Sequence, residues 1–508
     1  MSLQLEKALY RHFNLTSFRN GQKEVIENVM NGKDVLAVMP TGTGKSLCYQ
    51  LPSKLLSNPV VVISPLLSLM FDQVKKLRAS GFKEVVAINS MMDYRYRKTV
   101  LRNLHLYKLI YVSPEIFQSQ EVLSAIQNIH PSRLVIDEAH CISQWGHEFR
   151  PDYLRIKDIH ESIGKPPIVA LTATATPDVQ KDIVEYLQLE SPKKIVFPID
   201  NPNLSFVMEK IDHPSDKINR LTTILKEHSV PTMIYFSSRN AAEHTATVLQ
   251  HSLDVSVGYY HGGLTTDDRV LIQEQFMQNE LQVICCTSAF GMGIDKPDIR
   301  QVIHYHMPTQ IESFIQEVGR GGRDGLPALS IAFYHPSDIH VSTNLLMNEL
   351  PSFSSITQLV SFIMETSPPF DKLLEYIQND EKFKDSHERF LIYHFEKYGI
   401  LKNKIITVKD VEKEELLHYF EEIIKKRTEY KQWKLREIIE WVETDQCRRE
   451  ALFRSFQKSV ERPTDNCCNN CGFDWNSWQP IENNIKVIRK ESWQEKLAFI
   501  LMQDVSNE

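Results

Sequence analysis

The chain reads as an α/β protein with two tandem doubly wound parallel-sheet domains, followed by a mainly helical C-terminal region that includes a zinc-binding subdomain. Three observations predict this. From residue 34 to about 190, short apolar runs alternate with amphipathic stretches, the runs falling at 34–39, 59–64, 84–88, 108–112, 133–136 and 167–171. Runs of this length and apolarity fit strands covered by helices on both faces. A second set follows at 204–208, 232–236, 256–260, 282–286, 301–305 and 328–333. Beyond about 336 the alternation stops, and the remainder carries helical patterning and a cluster of cysteines between 447 and 471.

Length and charge bound the rest. At 508 residues the chain has room for roughly three domains of about 150 residues each. Its net charge of -7 excludes a global basic field, so any nucleic-acid binding has to come from local patches. Residues 1–13 carry Glu6, Lys7 and Arg11 and have no signal-type apolar core. The longest uncharged run, 55–71, is interrupted by Pro59 and Pro65 and makes a poor membrane span. A cytoplasmic protein with no membrane partner is expected. Cys48, Cys141, Cys285 and Cys286 lie scattered in apolar runs and read as reduced core thiols. The expected divisions are 1–200 and 201–345 for the two sheet domains, with a linker over 191–203. A small helical or winged-helix-like unit follows at 346–410, then a zinc-binding helical subdomain at 411–480 and a tail at 481–508.

Taken in order, the first feature is Phe18-Arg19-Asn20-Gly21-Gln22, where an arginine and a glutamine three apart can face one flat partner. The strand 34–39 then runs into Met39-Pro40-Thr41-Gly42-Thr43-Gly44-Lys45-Ser46. Strand, glycine-rich loop, Lys-Ser and helix form the context of a phosphate-binding loop, although Met39 stands where the first glycine is usual. Gly42 and Gly44 let backbone N–H groups converge on an anion, and the following helix turns its positive end to the same point. Lys45 supplies a charge for the outer phosphates and Ser46 a hydroxyl for Mg²⁺.

Ligands of doubly wound sheets sit at the carboxyl ends of the strands. There the sequence places Ser64-Pro65, Ser113-Pro114-Glu115, Asp137-Glu138-Ala139-His140 and Thr172-Ala173-Thr174. Asp137 and Glu138 are suited to holding Mg²⁺ and activating water; read alone, they would equally suit a helix N-terminus. The segment Gln144-Trp145-Gly146-His147-Glu148-Phe149-Arg150 crowds aromatics next to them, as stacking partners for single-strand bases or as core anchors. In the second domain, Arg320 and Arg323 stand among glycines and can reach across a cleft to a γ-phosphate, or line a solvated basic loop.

Together these motifs resemble superfamily 2 helicases. The series comprises Thr-Gly-Thr-Gly-Lys-Ser, Ser-Pro-Leu-Leu-Ser-Leu-Met, Asp-Glu-Ala-His, Thr-Ala-Thr-Ala, Phe-Gly-Met-Gly-Ile-Asp-Lys-Pro and Glu-Val-Gly-Arg-Gly-Gly-Arg-Asp-Gly. The stretch from Asp137 to Phe149 and the Phe18–Gln22 segment resemble the RecQ family specifically, over about residues 5–345 and again at the cysteines. The resemblance implies RecA-like domains and a 3′→5′ DNA helicase driven by ATP, acting in recombination, repair or replication-fork processing. It implies Mg²⁺ and Zn²⁺ as cofactors and a nucleoid-associated location. The implied partners are single-stranded and branched or tailed duplex DNA, a single-strand-binding protein and repair factors. Carried over, Arg19 and Gln22 contact adenine, with Leu15 at the position where the family often stacks an aromatic. Thr41, Gly42, Thr43, Gly44, Lys45 and Ser46 bind the phosphates, and Ser46 and Asp137 hold Mg²⁺. Glu138 activates water, Gly293 and Asp295 lie at the domain interface, and Arg320 and Arg323 meet the γ-phosphate. Ser64, Gln144, Trp145, His147, Phe149 and Arg150 couple DNA to ATP. Against this stand a DNA-stimulated ATPase or translocase that unwinds weakly or not at all, an RNA helicase and a DNA-binding scaffold.

In the C-terminal third, 355–365, 371–377 and 388–398 read as three short helices, and 400–408 as a turn with paired strands. Residues 411–460 read as a long helix pair whose basic run at Lys425-Lys426-Arg427 is a solvated face. Cysteines at x2 spacing with a distant partner suit structural zinc. Aligned to the family, Cys447, Cys468 and Cys471 match three of the four ligands. Asp474 stands in the fourth position and Cys467 is the alternative. The family's winged helix and terminal bundle have no room after Asp474, which leaves the usual strand-splitting hairpin missing from its place.

Overall fold

The computed structural model describes residues 2–65, 67–143, 151–291, 294–402, 404–409 and 411–480. The first sheet is built from β1 (Val35–Val38), β2 (Val60–Ile63), β3 (Val85–Ile88), β4 (Leu109–Val112), β5 (Arg133–Ile136), β6 (Ile168–Thr172) and β7 (Lys193–Val196). Its order is β3-β4-β2-β5-β6-β1-β7, every pair parallel. Leu36 and Val38 point into one apolar cluster, Val35 and Ala37 into another on the opposite face. This is the reason the strands read as continuous apolar runs rather than alternating ones. The order places β6 between β5 and β1. The acids that end β5 and the loop that follows β1 are therefore two strand spacings apart, about 10 Å.

β7 occupies part of the expected linker. Its exposed Lys193 and Lys194 hide it from a hydrophobicity reading, and the same charges blunt the open edge of the sheet. The second sheet has β8 (Leu204–Lys210), β9 (Thr232–Tyr235), β10 (Val257–Tyr260), β11 (Val283–Cys286), β12 (Gln301–His304) and β13 (Ala328–Tyr334), ordered β10-β11-β9-β12-β13-β8 and again all parallel. Among the described residues, no helix is long and apolar enough to cross a membrane.

The C-terminal region is helical. Helices Phe353–Thr366, Phe370–Asn379 and Asp385–Tyr398 and a short antiparallel pair, Leu401–Lys402 with Ile405–Ile406, enclose their own core. The expected helix pair over 411–460 is instead one helix of 31 residues, Lys413–Glu443, followed by the short Arg448–Phe453. At 1.5 Å per residue the long helix spans about 46 Å. Its first half, through Leu416 and Phe420, belongs to the three-helix core, whereas Leu435, Ile438, Trp441 and Val442 belong to the core of the second sheet. The basic run keeps Lys425 and Lys426 exposed, as expected for a solvated face, while Lys434 turns inward to pair with Glu312 of helix Ile311–Val318.

One buried arginine ties the cysteine region to the chain between the lobes. Arg449, 0% exposed, pairs with Asp200 and donates to the Asn201 and Leu204 carbonyls. Burial pushes the Asp200 carboxyl up to about 6 even with this cation beside it. Arg449→Ala leaves that carboxyl without its partner and is expected to destabilise the protein by about 3–5 kcal/mol at neutral pH. An orphaned carboxyl escapes the penalty by taking a proton. Urea titrations should therefore show a smaller loss at about pH 5 than at about pH 8.

Candidate functional site

The loop after β1 leaves the sheet with Met39 N donating to Thr172 O at 3.0 Å. Gly42 and Gly44 have φ of 82° and 75°, a region that side chains rarely adopt. The segment Arg19–Gln22 clamps this loop. Gln22, 3% exposed, donates to Thr43 O at 2.8 Å and Gly44 O at 3.0 Å, while its Oε1 accepts from Arg19 N at 2.8 Å. Arg19 donates to Gly42 O. A Cβ on Gly44 would lie 2.7 Å from Gln22 Nε2, so a side chain there would displace the clamping amide as well as strain φ. The structure thus gives Arg19 and Gln22 a loop-holding role that their spacing alone did not suggest. Leu15 sits ahead of them, largely exposed.

Asp137 and Glu138 end β5. Glu138 has φ of 50°, a strained value for a non-glycine residue of the kind stored at functional sites. Burial, reinforced by the neighbouring Glu138 charge, pushes the Asp137 carboxyl above the usual carboxylate range despite Lys45. Burial raises Glu138 too, but Lys45, the adjoining His140, Arg320 and Arg323 together outweigh it and hold its carboxyl below its ordinary value. The two acids are thereby split into a weaker and a stronger one, the arrangement that acid–base chemistry uses. The Asp137 and Glu138 carboxylates offer hard oxygen donors of the kind Mg²⁺ prefers.

The second lobe closes on this centre. Thr41 Oγ1 donates to Gly319 O at 2.6 Å. The Gln316 amide reaches across to His140 Nε2 at 3.2 Å and Thr174 Oγ1 at 3.0 Å. An amide nitrogen only donates, so His140 Nε2 is the accepting nitrogen and Nδ1 carries the hydrogen, facing Thr172 Oγ1 at 2.8 Å and Glu138 at 3.4 Å. Burial lowers the His140 pKa, consistent with the neutral ring. Arg323 lies against the loop, where a Cβ on Gly42 would come 3.0 Å from its Cγ, and its guanidinium bonds Ile294 O at 2.6 Å and Asp295 at 3.1 Å. Arg320 rests on Gly291, whose added Cβ would meet the guanidinium at 2.8–2.9 Å.

The structure therefore gathers Thr41, Gly42, Thr43, Gly44, Lys45, Ser46, Asp137, Glu138, Asp295, Arg320 and Arg323 around one cleft. Ser64 lies on the same edge of the sheet, buried at the end of β2. Gly293 and the coupling residues Gln144, Trp145, His147, Phe149 and Arg150 lie outside the described residues. Sequence reading missed Gln316, and it missed the bridging role of His140, Thr172 and Thr174. Their positions at strand ends and one turn before Arg320 were the available signal.

The four thiols of Cys447, Cys467, Cys468 and Cys471 converge, with all sulfurs within 4.8 Å of one another. Tetrahedral zinc, with Zn–S of about 2.3 Å, separates sulfurs by about 3.8 Å. The Cys447 and Cys467 sulfurs are 3.8 Å apart, so the donors fit such an ion. A hydrogen bond from the Cys467 thiol pulls the Cys468 pKa well down, favouring the thiolate that a metal needs. Asp474, the expected fourth ligand, is not in this group, and Cys467 takes that place. The flanking Phe473 and Trp475 pack on the other face of the second sheet, and the Asp474 carboxylate accepts from Asn476 N at 3.0 Å. Cys467 is instead drawn in by β8, with Phe206 N donating to its carbonyl at 3.2 Å.

A DEAD/DEAH box helicase model matches residues 19–183, and a helicase conserved C-terminal domain model matches 216–325. The chain is 38% identical over 499 residues to the probable ATP-dependent DNA helicase RecS of Bacillus subtilis, covering 98% of each chain. It is 42% identical over 328 residues to the ATP-dependent DNA helicase RecQ of Haemophilus influenzae, covering 64% of this chain and 52% of that one. In fold it is similar to the helicase MrfA bound to DNA, with a TM-score of 0.57, 20% identity and coverage of 67% and 52%. It is also similar to the Mycobacterium smegmatis helicase Lhr bound to single-stranded DNA and AMP-PNP, with a TM-score of 0.56, 17% identity and coverage of 77% and 57%.

Two measurements test this geometry. Metal analysis of purified variants should find zinc retained in Asp474→Ala and lost in Cys467→Ser; the reverse pattern would restore the carboxylate as ligand. Because Asp137 is held protonated above the usual carboxylate range, it becomes an anionic ligand only as pH rises. Calorimetric titration with Mn²⁺ should show affinity strengthening from about pH 6 to about pH 8, and in Asp137→Asn that dependence should flatten.

Proposed function

The chain belongs to the RecQ family of superfamily 2 helicases, and from that premise we propose that it is an ATP-dependent DNA helicase that moves 3′→5′ on single-stranded DNA and unwinds duplex. ATP lodges on the loop Thr41–Ser46. Lys45 neutralises its outer phosphates, and Ser46 and Asp137 hold Mg²⁺, which when bound offsets the charge of the phosphoryl oxygens. Glu138, the stronger acid of the pair, is ionised and free to take a proton from the attacking water. Arg320 and Arg323 meet the γ-phosphate from the second lobe. Arg19 and Gln22 keep the loop in shape and border the base. Single-stranded and branched or tailed DNA is the substrate, and the segment 144–150 links it to the cleft. Recombination, repair and fork processing are the settings this activity suits.

The observation that supports the reading best is the cross-cleft placement of the arginines. With Lys45 and His140 of the first lobe, they hold the Glu138 carboxyl below its ordinary value although it is buried, so groups from both lobes act on one acid. Hydrolysis removes the anion that the arginines face and weakens the closed state. The grip on a strand can then alternate with each turnover, because the two states bind nucleotide unequally.

Lys45→Ala is expected to lower DNA-stimulated ATP turnover by at least about 100-fold while leaving single-strand DNA affinity within a few-fold. Equal loss of both would contradict the role given to Lys45. Strand displacement on a 3′-tailed duplex, with a 5′-tailed one as control, tests polarity. ATP turnover without strand release would make the chain a translocase rather than a helicase, and preferential stimulation by RNA would overturn the choice of DNA.

A further inference from the structure

The three-helix unit, whose function the motifs leave unexplained, touches the catalytic lobe at a telling place. Directly after the segment 144–150 comes the turn Pro151–Arg155. Tyr153, 1% exposed, donates its hydroxyl to the Asp137 carbonyl at 2.9 Å, from within the lobe's core. Two residues on, Arg155 pairs with Glu396 of helix Asp385–Tyr398. Glu396 has little freedom of its own. Its neighbour Phe395 packs on Phe420 of the long helix at 5.4 Å, and His394 Nδ1 lies 3.0 Å from the Tyr419 hydroxyl.

The other end of that helix is fastened to the second lobe. Lys434 pairs with Glu312, 1% exposed, and Trp441 packs on Phe314 at 4.6 Å. Glu312 and Phe314 belong to helix Ile311–Val318, which also carries Gln316 and leads into Arg320. The two halves of the cleft are therefore joined from inside, by Gln316 and by Thr41, and also from outside, through a rigid element of about 46 Å. A continuous helix with both ends packed cannot absorb a lobe rotation along its length. Such a rotation has to appear at its ends, and one of those ends packs into the three-helix unit, whose Glu396 pairs with the turn that supports Asp137.

We propose that Tyr153 and Arg155 are positioning residues for the Asp137–Glu138 pair, and that the three-helix unit acts on them through Glu396, reporting the position of the arginine lobe to the acids from outside the cleft. The inference rests on the hydrolytic reading above. It assigns the unit a mechanical role in turnover.

The test is steady-state ATP hydrolysis by the full-length chain with single-stranded DNA, alongside binding of a fluorescent ATP analogue. Tyr153→Phe keeps the ring and removes only the hydroxyl. It should lower kcat by about 10-fold with KM and analogue affinity unchanged. Arg155→Glu and Glu396→Arg should each lower kcat several-fold, and the charge-swapped double variant should recover most of the loss. Turnover by Tyr153→Phe within about 2-fold of the parent would overturn the proposal, as would a double variant no better than its components. A loss of analogue binding that matches the loss of kcat would mark a general structural defect and also count against it. Failure of the parent chain to hydrolyse ATP, or full turnover by Lys45→Ala, would instead remove the hydrolytic reading itself.

Discussion

A side-chain amide spans the cleft on which the arrangement depends, alongside the Thr41 hydroxyl bonded to Gly319 O. Gln316 spends both of its hydrogens on the opposite lobe, one on the His140 ring and one on the Thr174 hydroxyl. His140 in turn faces Thr172 and Glu138. This short chain makes the protonation of one ring, the strained backbone at Glu138 and the separation of the lobes parts of one structure. Both amide hydrogens and the Nδ1 hydrogen of the ring have acceptors, and in so dry a setting an unmatched donor is costly, which favours the closed arrangement.

Electrostatics follows from the same closure. Lys45 comes from the first lobe and the two arginines from the second, and between them lie two acids that burial alone would neutralise. The cations reverse that effect at Glu138 but not at Asp137. The difference comes from position across the cleft, since both residues are carboxylates on the same turn. Lobe closure therefore adds the two arginines to the charge that Lys45 already places beside Glu138, which lets nucleotide turnover and lobe movement share one set of groups.

Outside the cleft, the C-terminal region is less independent than a domain list suggests. The cysteine segment extends the second sheet through the bridge between Phe206 and Cys468, and Arg449 holds the chain that joins the lobes. The long helix divides its apolar residues between two cores. A metal in the thiol cluster would stabilise the sheet edge it sits on, since binding energy in such a site is folding energy.

Much of this was legible in the residues. All the apolar runs expected to be strands are strands, because strands buried on both faces must be apolar throughout. The loop, the acids and the paired arginines were legible because phosphate chemistry demands particular residue types in short, ordered motifs. β7 was hidden because an edge strand needs few apolar residues. The single long helix was mistaken for a pair because its apolar stripe changes partners midway. The fourth thiol was left as an alternative to Asp474 because adjacent cysteines look redundant until β8 fixes which way each one turns. Gln316, Tyr153 and Glu396 carried no signal of their own, since an ordinary polar side chain gains its meaning from what lies opposite. The sequence by itself determined which chemistry is present and on which strand ends it stands, because those follow from local backbone and composition. The tertiary structure alone decided which groups face one another, because hydrogen bonds, ion pairs and proton affinities depend on distances across the cleft, between residues far apart in the chain.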